Sequence, residues 1–188
     1  MNEYQAPLHL GVDIGRRDTS AVVGAYRHPL WKKVVWSCWR TWEPPVHIPA
    51  IGEYIRSVMA WRSVVGIWYD PTQWAAEAQK LEEEGVRCLH EVTQTGTYMI
   101  TIATNLQTLC QRNDILIPKD PQLRNQLSWC AIKSTEMGPR IVKSRQSRPI
   151  DAIIAGSMAT WGASQDAGHL AQKSFDATKH LATVEDLV

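Results

Sequence analysis

Residues 8–42 read "LHLGVDIGRRDTSAVVGAYRHPLWKKVVWSCWRTW", which is three apolar segments separated by two short turn sequences. The segments are rich in the valine and tryptophan that favour strands, and the first alternates apolar residues with His9, Gly11 and Asp13. Strands are predicted over 8–14, 20–27 and 32–42. Because turns this short join antiparallel strands, the segment predicts a three-stranded antiparallel meander.

After residue 50 the sequence alternates between helical and strand patterns. Helices are predicted over 50–61, 71–85, 96–113, 120–132 and 148–163, strands over 64–70 and 86–92, and a hairpin over 133–143 turning at 137–139. Thr72 is the predicted N-cap of the second helix. The sequence thus predicts an α/β fold with a mixed sheet of about five strands, three antiparallel and then two parallel, flanked by helices. In such a sheet the fourth strand lies beside the first.

Length and composition favour one domain. The chain has 188 residues, enough for one α/β domain with a full core. We expect that domain over 8–162, after a linker or the cut end of an excised domain at 1–7. Residues 163–188 are expected to form a tail that is either mobile or a loosely packed helix.

The sequence shows no pattern typical of a membrane span or an export signal. No apolar run approaches the length of a membrane span, and the first ten residues do not resemble a signal peptide. The four cysteines are scattered, which is typical of reduced thiols. We therefore expect a cytoplasmic protein without a membrane partner.

Positive charge is concentrated in residues 119–148, which contain seven lysines and arginines and two acids. Such a stretch could meet a polyanion such as nucleic acid, although the solvated surface of a loop and hairpin gives the same composition. Four of the nine tryptophans lie in 31–42, where aromatic and basic residues alternate. A sheet surface gives this pattern, so we interpret it as structural.

Three aspartates stand at the ends of predicted elements. Asp13 is near the end of the first strand, Asp70 ends the fourth, and Asp151 is in the first turn of the last helix, "RPIDAIIAGSMA" (148–159). If the two strands are parallel neighbours, Asp13 and Asp70 share the carboxyl edge where open α/β sheets place their ligands. Each aspartate also has an ordinary explanation: a cap for a glycine turn, turn chemistry before a proline, and a favourable charge at a helix N-terminus.

Convergence of the three carboxylates would require positive charge. Clustered carboxylates repel one another, and divalent cations such as Mg²⁺ or Mn²⁺ prefer hard oxygen ligands of this kind. Two such ions about 4 Å apart stabilise the attacking and leaving oxygens of a phosphodiester. The pattern therefore predicts two divalent cations, Mg²⁺ or Mn²⁺, held by Asp13, Asp70 and Asp151.

The order of these motifs resembles that of RNase H-like nucleases and, more narrowly, the C-terminal nuclease domain of the large terminase subunit of tailed bacteriophages. The resemblance covers about residues 8–162. It rests on "GVDIG" (11–15), "YDPTQWAAEAQKLEEEGV" (69–86), "TGTYMITIATNLQTLCQRNDI" (95–115) and "RIVKSRQSRPIDAIIAGSMA" (140–159).

This resemblance implies that Asp13, Asp70 and Asp151 are the catalytic metal ligands of a two-metal-ion endonuclease. The implied reaction is hydrolysis of double-stranded DNA without a covalent intermediate and with little sequence specificity, as in cutting concatemeric viral DNA during genome packaging. Basic residues are expected to contact the DNA backbone, namely Lys133, Arg140, Lys143, Arg145 and Arg148.

Further partners and ligands are implied in the same way. They are an ATPase motor domain on the same or a separate chain, the small terminase subunit and the portal, in the cytoplasm of an infected bacterial host. The sequence contains no GxxxxGK[ST] phosphate loop, so the motor is expected outside it. Some relatives carry a further acid near the site. The candidates here are Asp18, Glu53 and Glu91, each interpreted as an ordinary surface acid.

Other functions fit parts of the pattern. Actin-like sugar kinases and ATPases also open with Asp-x-Gly followed by Ser or Thr, but they need two domains and a second glycine-rich loop. Holliday-junction resolvases and transposases share the fold and the metals. Resolvases usually act as dimers, and most transposases have Glu in place of Asp151. A nuclease-like domain that only binds DNA or a protein would not need three converging carboxylates.

Overall fold

The computed structural model of the protein describes residues 6–15, 18–93, 96–145 and 147–181, with side chains of the last helix up to Asp166. The strands are β1 (Leu8–Asp13), β2 (Ser20–Arg27), β3 (Val34–Trp42), β4 (Val64–Tyr69), β5 (Leu89–Glu91), β6 (Ile115–Leu116), β7 (Cys130–Thr135) and β8 (Gly138–Lys143). The helices are α1 (Ile48–Met59), α2 (Pro71–Glu83), α3 (Thr97–Gln111), α4 (Pro121–Trp129) and α5 (Asp151–Leu181).

The main sheet has the order β5-β4-β1-β2-β3-β6. Strands β1, β2 and β3 form an antiparallel meander, and β4 and β5 continue the sheet in parallel beside β1. The predicted fold class and the placement of the fourth strand beside the first are therefore confirmed. The short strand β6, parallel to β3, is a sixth strand that the sequence pattern did not indicate. Two residues are too few for a period-two pattern to be visible.

Helices cover both faces of this sheet. The first face carries Leu10 and Val12 of β1, which belong to one apolar cluster with Ile51 and Ile55 of α1 and Trp74 of α2. The opposite face carries alternate residues of β2 against α5, with α3 and α4 beside it; the buried residues there include Ala21, Val23, Ala25, Leu106, Leu123, Ala155 and Ala159. Successive residues of β1 point to opposite faces of the sheet, and each face is covered by different helices. Strand β1 is therefore buried on both sides.

The predicted boundaries were wrong in the segment before α5. The predicted helix over 120–132 ends at Trp129, because residues 130–132 pair with β8 in a six-residue hairpin strand. The hairpin turns at 136–137 instead of 137–139, and Thr135 faces Gly138 across it. A strand partner distant in sequence outweighs the local helical pattern here.

Helix α5 extends beyond the predicted end at residue 163. Ala163 is buried, and the Ser164 hydroxyl donates to the backbone oxygen of Thr160 at 2.8 Å. Residues 163–181 of the predicted tail continue α5 as helix; residues 182–188 and 1–5 lie outside the described residues. Within the described part of the chain, no helix has the combination of length and apolar character needed to cross a membrane.

Candidate active site

Asp13 is the last residue of β1, the strand at the centre of the sheet. It pairs with Ala21 of β2, and its neighbour Val12 pairs with Tyr69 of β4. Alternation along β1 places Asp13 on the same face as Gly11, the face covered by α5. The side chain is only 6% exposed, so this carboxylate is held at the buried carboxyl edge of the sheet.

A close approach of two backbones brings the start of α5 to the same edge. A Cβ added to Gly11 would lie 1.9 Å from the carbonyl oxygen of Ala155, so only glycine allows β1 and α5 to pack at this distance. Asp151 is one helical turn before Ala155, and Asp13 is two residues after Gly11. The packing therefore brings both aspartates to the carboxyl end of β1, where they line the same cleft.

Asp151 is the first residue of α5 and is 6% exposed. The hydroxyl of Thr19 donates a hydrogen bond of 2.5 Å to its Oδ2. The next residue, Ala152, donates its backbone N–H to Oε1 of Gln126 in α4 at 2.9 Å. Both the side chain of Asp151 and the first turn of α5 are thus held by buried polar partners from other elements.

The environment of Asp151 disfavours its negative charge. Burial raises the pKa of this carboxyl above its ordinary value, and the nearby charge of Asp18 adds to the rise; the Thr19 hydrogen bond and Lys143 oppose it. A buried carboxylate whose pKa is raised in this way is typical of a cation-binding or catalytic site.

A cysteine lies close to this carboxylate. Burial raises the pKa of Cys130 to about 12, and the charge of Asp151 contributes to the rise. Its thiol is therefore protonated at neutral pH and is a poor nucleophile.

Asp70 follows β4 directly, one position beyond Tyr69 on the strand beside β1. Its Oδ1 accepts hydrogen bonds from the backbone N–H of Thr72 at 2.9 Å and from the Thr72 hydroxyl at 2.7 Å. Asp70 is therefore the N-cap of α2, and the predicted cap at Thr72 was wrong. The reason is that Pro71 takes the first helical position, which makes the residue before it the cap.

Asp13 and Asp151 line one cleft of about 530 Å³ at the end of β1. Asp18, Lys143 and Ile150 also line it, and the ammonium of Lys143 forms an ion pair with Asp18. Asp70 does not line this cleft. The structure thus brings two of the three predicted ligands into one cavity and leaves the third on the adjoining strand end.

Asp18, interpreted from the sequence as an ordinary surface acid, is partly buried and lines this cleft. The contacts of Thr19 and Gln126 were not predicted from the sequence. Thr19 had a usable signal: it directly precedes β2 and stands two residues before Ala21, so it continues the alternating set of residues that faces α5. Gln126 had none, since nothing local distinguishes a glutamine that caps another helix. The other two candidate acids, Glu53 and Glu91, do not line the cleft.

Among the residues that the structure describes, no three histidine, cysteine, aspartate or glutamate side chains are arranged closely enough to hold a metal ion. Asp70 has one oxygen committed to the α2 cap, and Lys143 already supplies one positive charge near Asp18. The donor chemistry nonetheless fits a hard divalent cation, because the lining carboxylates outnumber the lysine. The three-aspartate site remains a prediction.

The basic residues predicted for DNA occupy different environments. Lys143 lines the cleft, whereas Lys133 and Arg140 are exposed cross-strand partners on β7 and β8. The Arg148 guanidinium lies over the ring of Trp129 at 5.2 Å. Arg145 is exposed between β8 and α5. These cations lie on the hairpin and on the segment that leads from it to Asp151.

No family model matches the sequence, and no curated protein sequence matches it. Solved structures do match its fold. The large terminase of bacteriophage HK97 has a TM-score of 0.72 at 15% identity, over 82% of this chain and 39% of that one. The large terminase nuclease of thermophilic phage G20c has a TM-score of 0.65 at 15% identity, over 82% of this chain and 81% of that one.

The G20c nuclease also matches in a form with bound magnesium, with a TM-score of 0.65 at 14% identity over 82% of this chain and 80% of that one. The chain therefore spans about two fifths of the HK97 large terminase but most of the length of the isolated G20c nuclease. The chain has the RNase H-like fold of the nuclease domains of phage large terminases.

Proposed function

We propose that this chain is a metal-dependent endonuclease that cleaves double-stranded DNA, the nuclease part of a phage large terminase. One observation carries the proposal: Asp13 at the end of the central strand and Asp151 at the start of α5 are both buried and line the same cleft. The fold supports it, since matching structures include a terminase nuclease with bound magnesium.

Asp13, Asp70 and Asp151 are the residues that would hold two divalent cations, Mg²⁺ or Mn²⁺. When bound, such ions activate water for attack on a phosphodiester and stabilise the charge on its oxygens. Asp13 and Asp151 present oxygen ligands from rigid elements, and Thr19 and Gln126 keep the second of them in place. Asp70 would contribute from the strand end beside them.

The basic residues of the hairpin β7–β8 and of the segment after it would contact the DNA backbone. Lys133 and Arg140 are cross-strand partners, and both are exposed. Contacts of this kind position a duplex without reading its sequence, so little sequence specificity is expected. Lys143, inside the cleft, would meet the phosphate nearest to the aspartates.

The biological setting follows as part of the same proposal. The chain would cut concatemeric viral DNA during packaging, in the cytoplasm of an infected bacterium. Its partners would be an ATPase motor domain, the small terminase subunit and the portal. This chain covers 39% of the HK97 large terminase, so a large terminase has length for a motor domain besides a nuclease of this size.

The test is the conversion of supercoiled plasmid to nicked and linear forms with Mn²⁺, Mg²⁺, Ca²⁺ or EDTA. Wild type is compared with Asp13→Asn, Asp70→Asn and Asp151→Asn. Asp120→Asn is the matched control for Asp70→Asn, because Asp120 also caps a helix directly before a proline but precedes α4, whereas Asp70 follows the strand beside β1.

Cleavage by wild type and the control with Mn²⁺ or Mg²⁺, and its loss in the three site variants, is the expected result. Cleavage that persists in Asp13→Asn and Asp151→Asn would refute the proposed site. A folded wild type that neither cleaves nor binds Mn²⁺ would refute the proposed function.

A further inference from the structure

Thr19 reaches Asp151 because of the alternation along β2. Ala21, Val23 and Ala25 of this strand pack in the cluster under α5, and Thr19 extends the same face by one more alternate position. Its side chain therefore points to the first turn of α5, where the hydroxyl donates to Oδ2 of Asp151 at 2.5 Å. Thr19 is 3% exposed, so the bond is shielded from water.

The turn before β2 fixes the backbone of Thr19. The N–H of Gly15 donates to the Ser20 hydroxyl at 3.1 Å, which ties the end of β1 to the start of β2. A Cβ added to Gly15 would lie 2.3 Å from the carbonyl oxygen of Thr19, so the backbones of Gly15 and Thr19 are in close contact. The hydroxyl of Thr19 is therefore presented from a constrained backbone.

We propose that Thr19 is a positioning residue for Asp151: its hydroxyl fixes the orientation of this carboxylate so that the carboxylate is ready to bind a divalent cation. The inference rests on the proposed function. Thr19 acts through Asp151 and contacts neither the DNA nor the reacting atoms. Partners that orient metal ligands in this way typically account for about 10- to 100-fold in metal affinity or activity.

A purely structural role is the competing interpretation, since a buried hydroxyl also stabilises the fold when it is hydrogen-bonded. Thr160 provides the matched comparison. It is a fully buried threonine on α5 whose Oγ1 accepts a hydrogen bond from Nε1 of Trp36 at 2.8 Å, two and a half turns along the helix from Asp151. Replacing either threonine by valine removes one buried hydroxyl and preserves the shape.

The experiment measures Mn²⁺ affinity by calorimetry on the full chain, together with plasmid cleavage at saturating Mn²⁺ and the unfolding temperature. The variants are Thr19→Val, Thr19→Ala, Thr19→Ser and Thr160→Val. Thr19→Ala introduces no new atoms, so it serves if Thr19→Val does not fold. Thr19→Ser keeps the hydroxyl.

We expect Thr19→Val and Thr19→Ala to lose about 10- to 100-fold in Mn²⁺ affinity, and Thr19→Ser to recover nearly all of it. Thr160→Val should keep the wild-type Mn²⁺ affinity even if its unfolding temperature is lower than that of wild type. Wild-type Mn²⁺ affinity in folded Thr19→Val or Thr19→Ala would overturn this inference while leaving the proposed nuclease intact. Absence of Mn²⁺ binding by wild type would overturn both.

Discussion

Gly11 and Ala155 pack backbone to backbone, with the carbonyl oxygen of Ala155 in the place where a side chain on residue 11 would begin. This contact determines the depth at which α5 sits on β1. Asp13 lies two residues after Gly11 on β1, and Asp151 lies one helical turn before Ala155 on α5. The aspartate pair is therefore a consequence of how closely the helix and the central strand approach each other.

Gly11→Ala should separate the two elements. The added methyl group meets backbone, which cannot turn away, so we expect a loss of about 1–3 kcal/mol in the free energy of unfolding and a weakened Mn²⁺ affinity. Gly52→Ala is the comparison. Its Cβ meets the side-chain oxygen of Glu77, on α2, so it should leave Mn²⁺ affinity unchanged. Denaturant unfolding and calorimetry measure both; unchanged stability and affinity in Gly11→Ala would contradict the packing account.

Asp70 should show separable structural and catalytic roles. Asp70→Ser retains a good N-cap for α2, whereas Asp70→Ala removes the cap and should cost about 1 kcal/mol of stability. Both variants should lose plasmid cleavage, because neither keeps the carboxylate. Asp120→Ala, at the equivalent cap of α4, should lose stability but not cleavage. Cleavage by Asp70→Ser at the wild-type rate would exclude Asp70 as a ligand.

Asp151→Asn should stabilise the metal-free protein at neutral pH. Burial raises the pKa of the folded carboxyl above its ordinary value of 3.8. The stability associated with its protonated form is therefore present below about pH 4 and is lost as the pH rises through the raised folded pKa. The neutral amide avoids this loss and can still accept a hydrogen bond from Thr19 through its side-chain oxygen.

Thermal unfolding in EDTA measures this difference between pH 4 and 8. The unfolding temperature of Asp151→Asn should exceed that of wild type at pH 8, and the gap should narrow as the pH falls. If Asp151→Asn is less stable than wild type at every pH between 4 and 8, the buried negative charge of Asp151 does not destabilise the fold.

Gln126→Leu should destabilise the start of α5. The substitution leaves the buried N–H of Ala152 without its acceptor, at a cost of about 1–3 kcal/mol. Gln122→Leu on the same helix removes only an exposed hydrogen bond to Thr41 and should be close to neutral. Urea denaturation of the pair measures the difference, and equal stabilities would show that the Gln126 contact contributes nothing.

Removal of positive charge from the hairpin should weaken DNA binding uniformly. Lys133→Ala and Arg140→Ala should each lower affinity for duplexes of unrelated sequence by a similar factor and reduce the salt dependence by about one unit of slope. Fluorescence anisotropy at several salt concentrations measures this. Lys119→Ala, outside the hairpin, is the control. An unchanged salt slope in both hairpin variants would place the DNA elsewhere.

Most of the sheet could be predicted from the sequence, because β1 to β4 carry the local patterns that specify strands. Asp13 and Asp70 could be placed from those strands alone. The hairpin boundary could not, since Cys130 and Ile132 join a strand only through a partner that lies beyond the turn. The capping role of Asp70 could not be predicted because threonine is also a common N-cap residue. Here the hydroxyl of Thr72 instead donates to Asp70.

The environment of Asp151 depends on contacts that no local pattern reveals. Thr19 is 132 positions away in sequence and Gln126 is 26 away from the backbone group it accepts from. Asp18 looked like a surface acid because a short polar turn is normally solvated. Asp18 lines the cleft together with Lys143 of β8, with which it forms an ion pair, and this long-range contact has no local sequence signal.

The most direct measurement is anomalous X-ray diffraction from crystals of the protein soaked in Mn²⁺, because it locates the ions without reference to activity. The account predicts manganese peaks at the end of β1, within ligand distance of Asp13, Asp70 and Asp151. Crystals that bind manganese elsewhere, or show no peak in the cleft at saturating Mn²⁺, would contradict the claim that these three aspartates form a metal site.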